Sequence, residues 1–359
     1  PPAPVPDFDT ADSTLDRVRR GDVLFHYPYQ SFSNYLRLLR EAALSRDVRT
    51  IRTTVYRLAR NSKVVKALIC AARHGKQVTA VVELMARFDE ASNIDWAKKM
   101  QEAGIRVIFG VEGLKVHAKL THIGSSRGDI ACVSTGNFHE GNARTYTDVA
   151  LLTADRRLTR EVERVFEFIR QPARPFAFDH LVVSPRDMRR KLNALIADEA
   201  RRARQGEEAY ILAKVNHITD AKLIRRLYAA AAAGVRLRLL VRGNCSIVAS
   251  AHDRGRIEIR GIIDRYLEHS RILIFGHGGD ERIYIGSADW MTRNLDNRVE
   301  AYAPVYDEAV RRELRRIVDE GLADNVAARV VDGTGDNLLY DDGRPPRRSQ
   351  QRLYEHYRA

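Results

Sequence analysis

The second half of the chain replays the first at a nearly fixed offset, and this repetition limits the possible folds more than any other feature. Gly75 followed by an apolar run ending at Glu83 is matched by Gly234 followed by Val235 to Arg242. His117-Ala118-Lys119 is matched by His269-Ser270-Arg271, and Thr135-Gly136-Asn137 by Ser287-Ala288-Asp289 at the same downstream spacing. Asp148 and Glu300 complete the register. Helix and strand patterns alternate: Lys63 to Arg73 is helix-like, Gln77 to Leu84 strand-like, Ile94 to Ala103 helix-like and Arg106 to Phe109 strand-like. Gly75 and Gly104 fall just past the helices, where the chain must turn left-handed and glycine does so without steric cost. The expected fold is α/β, two similar domains in tandem with mixed sheets flanked by helices.

A chain of 359 residues with 44% hydrophobic content can bury two cores. The proline-rich opening, Pro1 to Pro6, reads as an extended linker, and Asp332 to Ala359, polar and Arg-rich with Gly and Pro, reads as a partly ordered tail. The expected division is a linker over 1–20, domains over 21–178 and 179–335, and a polar tail over 336–359. The formal net charge of +13 favours a polyanionic partner: nucleic acid, anionic lipid head groups or polyphosphate. Cys70, Cys132 and Cys245 are odd in number and widely spaced, which suggests neither a disulfide framework nor a metal site and fits a reducing compartment. No apolar run is long enough to span a membrane, and Pro1 to Asp9 lacks the features of a signal peptide, so a cytoplasmic location is expected. Walker, GxGxxG and HExxH patterns are all absent from the sequence.

The repeated motifs carry the chemistry. Leu114 to Ile123 and Ile262 to Phe275 have strand character, and side chains two apart on a strand share a face. His117 and Lys119 are therefore expected side by side, as are His269 and Arg271. A neutral imidazole can attack phosphorus while a fixed cation stabilises the equatorial oxygens, and a second histidine can assist the leaving or entering oxygen. Asn137 and Asp289, on expected strand-end turns, could complete a phosphate pocket, and Asp148 and Glu300 could hold the far imidazole nitrogen and so fix its tautomer. A single His-x-Lys is usually an exposed strand edge; its repetition at identical spacing reverses that reading. The other histidines have no such echo, and Phe25 to Tyr29 reads as a core strand and turn. The basic runs Arg186 to Lys191, Arg201 to Arg204 and Arg311 to Arg316 read as solvated helix faces.

Duplicated His-x-Lys motifs in paired α/β domains resemble the phospholipase D superfamily, although Gly124 stands where that superfamily has an acidic residue. A more specific resemblance covers residues 22 to 330. HYPYQSF (26–32), VYRLARNSKVV (55–65), VVELMARFDE (81–90), GLKVHAKL (113–120), TGNFHE (135–140), TYTDVALLTAD (145–155), LVRGNCS (240–246), DRYLEHSRILIF (264–275) and SADWMTRNLDNRVE (287–300) are similar to the long bacterial polyphosphate kinase family. The resemblance implies reversible transfer of the ATP terminal phosphate to inorganic polyphosphate, with His117 phosphorylated and His269 the second essential histidine. It places the family's functional arginines on Arg57, Arg87 and Arg242 and its nucleotide-contacting tyrosine on Tyr146. It also implies Mg²⁺ near Arg57 and Arg87, held mainly by phosphate oxygens and water, with ATP, ADP and polyphosphate as partners and a homo-oligomer in the full-length form. No nucleic-acid partner is expected. Members of this family carry two further domains before the segment that starts here. The competing expectations are a phospholipase D-type phosphodiesterase or nuclease, and a non-catalytic polyphosphate-binding remnant.

Overall fold

The computed structural model describes residues 2–56, 59, 61–83, 90–249 and 255–359, the side chains of 90–92 excepted. The first half runs α1 (Thr14–Arg20), β1 (Val23–Tyr27), α2 (Ser33–Leu44), β2 (Val48–Val55), α3 (Lys63–Arg73), β3 (Gln77–Val82), α4 (Glu90–Glu102), β4 (Arg106–Phe109), β5 (Lys115–Val116), β6 (Lys119–Ser125), β7 (Ile130–Ser134), α5 (Asn142–Thr145), β8 (Tyr146–Thr153) and α6 (Arg156–Arg170). Side-chain caps start several helices: Ser62 accepts from the Val65 amide to open α3, and Asp155 accepts from the Arg157 amide to open α6. Gly75 and Gly104 close helices at φ 78° and 83°. The strand order is β1-β8-β7-β6-β2-β3-β4, with β2, β3 and β4 parallel and the rest antiparallel.

The second half runs β9 (Val182–Ser184), α7 (Met188–Arg204), β10 (Tyr210–Val215), α8 (Ala221–Ala232), β11 (Arg236–Val241), β12 (Ile257–Ile262), β13 (Leu267–Glu268), β14 (Ile272–Phe275), β15 (Arg282–Gly286), α9 (Thr292–Asp296), β16 (Arg298–Pro304), α10 (Glu308–Leu322), β17 (Ala328–Val330) and α11 (Ser349–Arg358). Its sheet repeats the first in the order β9-β16-β15-β14-β10-β11-β12, with β17 added beyond β12. The fold is two similar α/β units with mixed sheets and flanking helices.

The alternation of each strand divides the apolar residues among three cores. On β7, Ile130 and Cys132 face α2 and α3, while Ala131 and Val133 face the other way. On β14, Leu273 and Phe275 face α7 and α8, while Ile272 and Ile274 turn inward. The inward faces meet in one shared core that also takes Val162, Val165 and Phe166 of α6 and Leu314 and Ile317 of α10. Both sheets bury apolar surface in the same place, so the halves dock as one unit with a fixed relation between their repeated motifs.

Four expectations need correction. The strands through the motifs are not continuous: β5 stops before His117 and β6 begins at Lys119, and β13 stops before His269 while β14 begins at Ile272. The segment 1–20 is not an extended linker, because Val5, Phe8, Leu15 and Val18 are buried in the first core and Ser13 caps a regular helix, α1. Nor is 336–359 only a partly ordered polar tail. Its last ten residues before Ala359 form α11, with Leu353 buried in the shared core and Tyr357 stacked on Tyr29. The basic runs are only partly solvated: Arg189 bonds Asp220 and Asp296, and Lys191 donates to the carbonyls of Phe178 and Leu181.

Candidate active site

The strand breaks build the site. In each half, the two residues before the motif histidine leave their own sheet and add a short parallel strand to the other one. β5 pairs with β16, setting Lys115 opposite Arg298 and Val116 opposite Val299, and β13 pairs with β8, setting Leu267 opposite Tyr146 and Glu268 opposite Thr147. The amides of His117 and Ala118 both donate to the Val299 carbonyl at 2.9 Å, and the His269 amide donates to Thr147 Oγ1 at 3.2 Å. Because β16 carries Glu300 and β8 carries Asp148, the exchange sets each histidine against an acid from the opposite half.

The two pairs are crosswise. His117 Nδ1 lies 2.9 Å from Glu300 Oε1 and 3.0 Å from Oε2, and His269 Nδ1 lies 2.8 Å and 2.9 Å from the two Asp148 oxygens. Repeated hydroxyls hold the acids: Thr135 Oγ1 donates to Asp148 at 2.6 Å, and the Ser287 hydroxyl donates to Glu300. Asn294 Nδ2 also donates to Glu300, at 2.7 Å. Gly136 lets Thr135 and Asp148 approach, since a Cβ there would stand 2.1 Å from Asp148 Oδ2. A carboxylate on Nδ1 keeps the proton on that nitrogen and leaves Nε2 with its lone pair.

Burial pushes the His117 imidazole well below its ordinary pKa, and Lys119, Arg271 and Arg298 push it the same way. His269 is lowered by burial and by Arg271, with Asp148 opposing. Both rings are therefore neutral near pH 7. Burial raises the Glu300 carboxyl to about 7, with Lys119 opposing. It lowers the Lys119 amine to about 7, with Glu300 opposing and Arg271 and Arg298 adding to the fall. Lys119 is 2% exposed, and its Nζ has no hydrogen-bond partner among the described residues; the Tyr56 ring lies 5.4 Å away and also stands edge-on to His117. Asn137 Oδ1 is likewise buried without a hydrogen-bond partner among the described residues.

Arg271 lies over the His269 ring, its Nη1 3.2 Å from Nε2 and 3.3 Å from Nδ1, and donates to the His269 carbonyl at 2.8 Å. Asp289 does not face outward as an element of a phosphate pocket. Its two oxygens take Arg271 Nε and Nη2 at 3.2 Å and 3.1 Å, and Oδ1 also takes the Asn216 amide. Burial drives the Asp289 carboxyl up, but Arg271 outweighs it and holds it below the usual range. A carboxylate pointed at phosphate would repel it; one that tethers a guanidinium sets the cation in place. Arg242 Nε donates to the Glu268 carbonyl at 2.6 Å, and the Tyr146 ring lies 5.2 Å from His269.

The structure thus brings together His117, His269, Lys119, Arg271, Arg242, Tyr146, Asp148 and Glu300, while Arg57 and Arg87 lie outside the described residues. Tyr56 and Arg298 were missed by the sequence reading. The signal for Arg298 was present: it lies two residues before Glu300 on one strand and so shares its face. Among the described residues, the carboxylates beside the two histidines are already engaged, Asp148 and Glu300 by the histidines and Asp289 by Arg271. A divalent cation accompanying a phosphorylated ligand therefore fits only if phosphate oxygens and water, or residues outside the described ones, ligate it. Among the described residues, two His-carboxylate clusters lie elsewhere, His122 with Asp129 and Glu163, and His277 with Asp198 and Glu199, and arginines occupy both. A cleft of about 970 Å³ among the described residues is not lined by the paired histidines; it opens beside Tyr29, Arg144, Arg265, Tyr266 and Tyr354.

Residues 13–175 match the model for polyphosphate kinase C-terminal domain 1, and residues 181–351 match that for domain 2. The chain is 45% identical over 362 residues to a polyphosphate kinase of Vibrio vulnificus (strain YJ016), covering 99% of this chain and 52% of that protein. It is 44% identical over 360 residues to one from Escherichia coli (strain K12), covering 98% of this chain and 52% of that protein. The chain spans about half the length of these curated relatives. The crystal structure of polyphosphate kinase from Porphyromonas gingivalis superposes with a TM-score of 0.93 at 38% identity, covering 99% of this chain and 55% of that one. A phosphatidylserine synthase from Haemophilus influenzae shares the fold at a TM-score of 0.60 and 10% identity, with 93% of each chain covered.

Proposed function

We propose, for a chain that belongs to the polyphosphate kinase family, that it transfers a phosphoryl group reversibly between ATP and inorganic polyphosphate through a phosphohistidine on His117. The observation that carries this reading is the pair of neutral histidines, each held by a buried carboxylate of the other half, beside Lys119, Arg271 and Arg298. His117 Nε2 attacks the terminal phosphorus of the nucleotide; the nitrogen–phosphorus bond forms as the bridging oxygen–phosphorus bond breaks, and ADP leaves with that electron pair. A terminal oxygen of the polymer then attacks the same phosphorus, the nitrogen–phosphorus bond breaks, and His117 is free again. His269 moves a proton at the entering or leaving oxygen. Lys119, Arg271, Arg242 and Asn137 hold the equatorial and neighbouring phosphate oxygens, and Tyr146 packs near the nucleotide. Such positioning and charge stabilisation is most of what phosphoryl transfer asks of a protein. Mg²⁺, carried by the phosphates beside Arg57 and Arg87, would neutralise part of their charge.

A phospholipase D-type diesterase is the weaker reading. At Gly124 a Cβ would stand 2.3 Å from Thr50 Oγ1, so that position has no room for the acidic side chain which the superfamily carries there. No helix among the described residues is long and apolar enough to cross a membrane. A cytoplasmic location and a homo-oligomeric full-length form belong to this proposal. The test is incubation with Mg²⁺ and either γ-labelled ATP or labelled polyphosphate. Acid-labile, base-stable label on the protein is expected, and its loss in His117→Ala. Label from polyphosphate alone would place the histidine chemistry in these residues and assign the nucleotide site to the part of the relatives' length that lies outside the matched half. No label from either donor, in folded protein, would overturn the reading.

A further inference from the structure

The helix α11 lies across the back of the His269 loop and is fixed at both ends. At its start, the Ser349 amide and hydroxyl donate to Asp324 at 2.7 Å and 2.6 Å, and Asp324 has no solvent exposure. At its end, Tyr357 donates to Glu313 at 2.6 Å and sits 2.9 Å from His26 Nδ1 of the first half. Between these anchors Gln350, 5% exposed, turns its amide onto β13. Its Oε1 accepts from the Tyr266 amide at 3.0 Å, and its Nε2 donates to the Tyr266 carbonyl at 2.9 Å and to Glu268 Oε1 at 2.7 Å.

Glu268 immediately precedes His269, and its other oxygen receives Thr147 Oγ1 and Lys214 Nζ, each at 2.9 Å. Thr147 Oγ1 is the acceptor of the His269 amide, and Lys214 also reaches Ser270 Oγ at 2.7 Å, so both neighbours of His269 are tied to one network. A strand of two residues has little stability of its own, and β13 is bound to β8 on one side only. The Gln350 amide completes the other side as a neighbouring strand would.

We infer that Gln350 is a positioning residue for His269, acting through Glu268 and the backbone of Tyr266 to hold the imidazole in register with Asp148. The inference rests on the reading that His269 takes part in phosphoryl transfer. Gln350 touches neither reacting atoms nor Asp148; what it controls is the place of β13. A displacement of this kind, far from the chemistry, lowers the catalysed rate while leaving substrate binding largely intact.

The test uses the full chain labelled with ¹⁵N-histidine. Long-range ¹H–¹⁵N spectra would be assigned with His269→Gln and compared in Gln350→Ala, Gln350→Glu and Leu353→Ala. The expected result is a shifted or broadened His269 Nδ1 resonance in Gln350→Ala with His117 unmoved, a larger change in Gln350→Glu, and a fall in kcat of about tenfold at similar KM. Gln350→Glu keeps the shape but sets a second carboxylate against Glu268, so a packing role alone would make it the milder change. Leu353→Ala loosens the helix without touching the amide and should lower Tm while leaving the His269 resonance in place. An unmoved His269 in Gln350→Glu, or an equal shift in Leu353→Ala, would overturn the inference. Wild-type protein that fails to transfer phosphoryl groups would instead sink the functional reading, and the spectra would still decide the positioning role.

Discussion

His117 Nδ1 sits 2.9 Å from an oxygen of Glu300, a carboxylate with no solvent exposure that belongs to the opposite half of the chain. The contact makes each half incomplete alone: a histidine in one unit takes its tautomer from an acid in the other.

Glu300→Gln keeps the shape of the side chain but removes the carboxylate that holds the proton on Nδ1. Formation of labelled His117 in a single turnover is expected to slow by on the order of a hundredfold or more, as in other histidines deprived of an orienting carboxylate. Asp148→Asn should reproduce the defect of His269→Ala and leave His117 labelling from polyphosphate closer to wild type. Rapid-quench labelling separates the two; equal losses at the first step in both would contradict the division of roles.

The same carboxylate makes stability depend on pH. Burial raises Glu300 to about 7, against 4.5 in an unfolded chain. Between those values the folded state holds a proton that the unfolded state has released. The contribution is fully present below about pH 4.5 and is lost as pH rises through about 7. Wild-type Tm should therefore fall relative to Glu300→Gln between pH 5 and 7 in parallel thermal melts. Parallel curves would show that Glu300 titrates as an ordinary surface acid.

Lys119 points to a proton taken up with the ligand. Its amine is lowered to about 7 by burial first, against the opposing pull of Glu300, and a bound phosphate would add counter-charge and raise it. Calorimetry of triphosphate or polyphosphate binding at pH 8, in buffers of different ionisation enthalpy, should show uptake approaching one proton, with little uptake at pH 6. Lys119→Met should abolish the uptake and weaken binding. Uptake unchanged in that variant would assign the proton to another group.

Gly136→Ala tests the close approach on which the Asp148 pair depends. The added Cβ would meet Asp148 Oδ2 at 2.1 Å, so the carboxylate or the turn must move. Overpacking of this kind costs roughly 1–3 kcal/mol, and chemical denaturation should find a loss in that range together with slowed phosphoryl transfer. A variant with wild-type stability and rate would mean that the turn relaxes freely.

Much of this architecture was legible in the sequence because it rests on short-range rules. The period of Lys63 to Arg73 gave α3, Arg106 to Phe109 gave β4, and Gly75 and Gly104 marked helix ends that need positive φ. The repeated His-x-Lys and His-x-Arg motifs, with their hydroxyl and acid partners, marked the residues that meet. What spacing could not reveal is which acid meets which histidine, since that depends on β5 and β13 crossing to the opposite sheets, and strand pairing is set by the shared core and not by local propensity. The same holds for Asp289, which a linear reading turns toward phosphate and the folded chain turns onto Arg271. It holds too for the last segment, whose polar composition suits solvent but whose Leu353, Gln350 and Tyr357 find buried partners far back in the chain. Periodicity and caps act over a few residues and are written in the sequence; crosswise pairing and docking arise where distant segments exclude water together, and only the tertiary structure decides them.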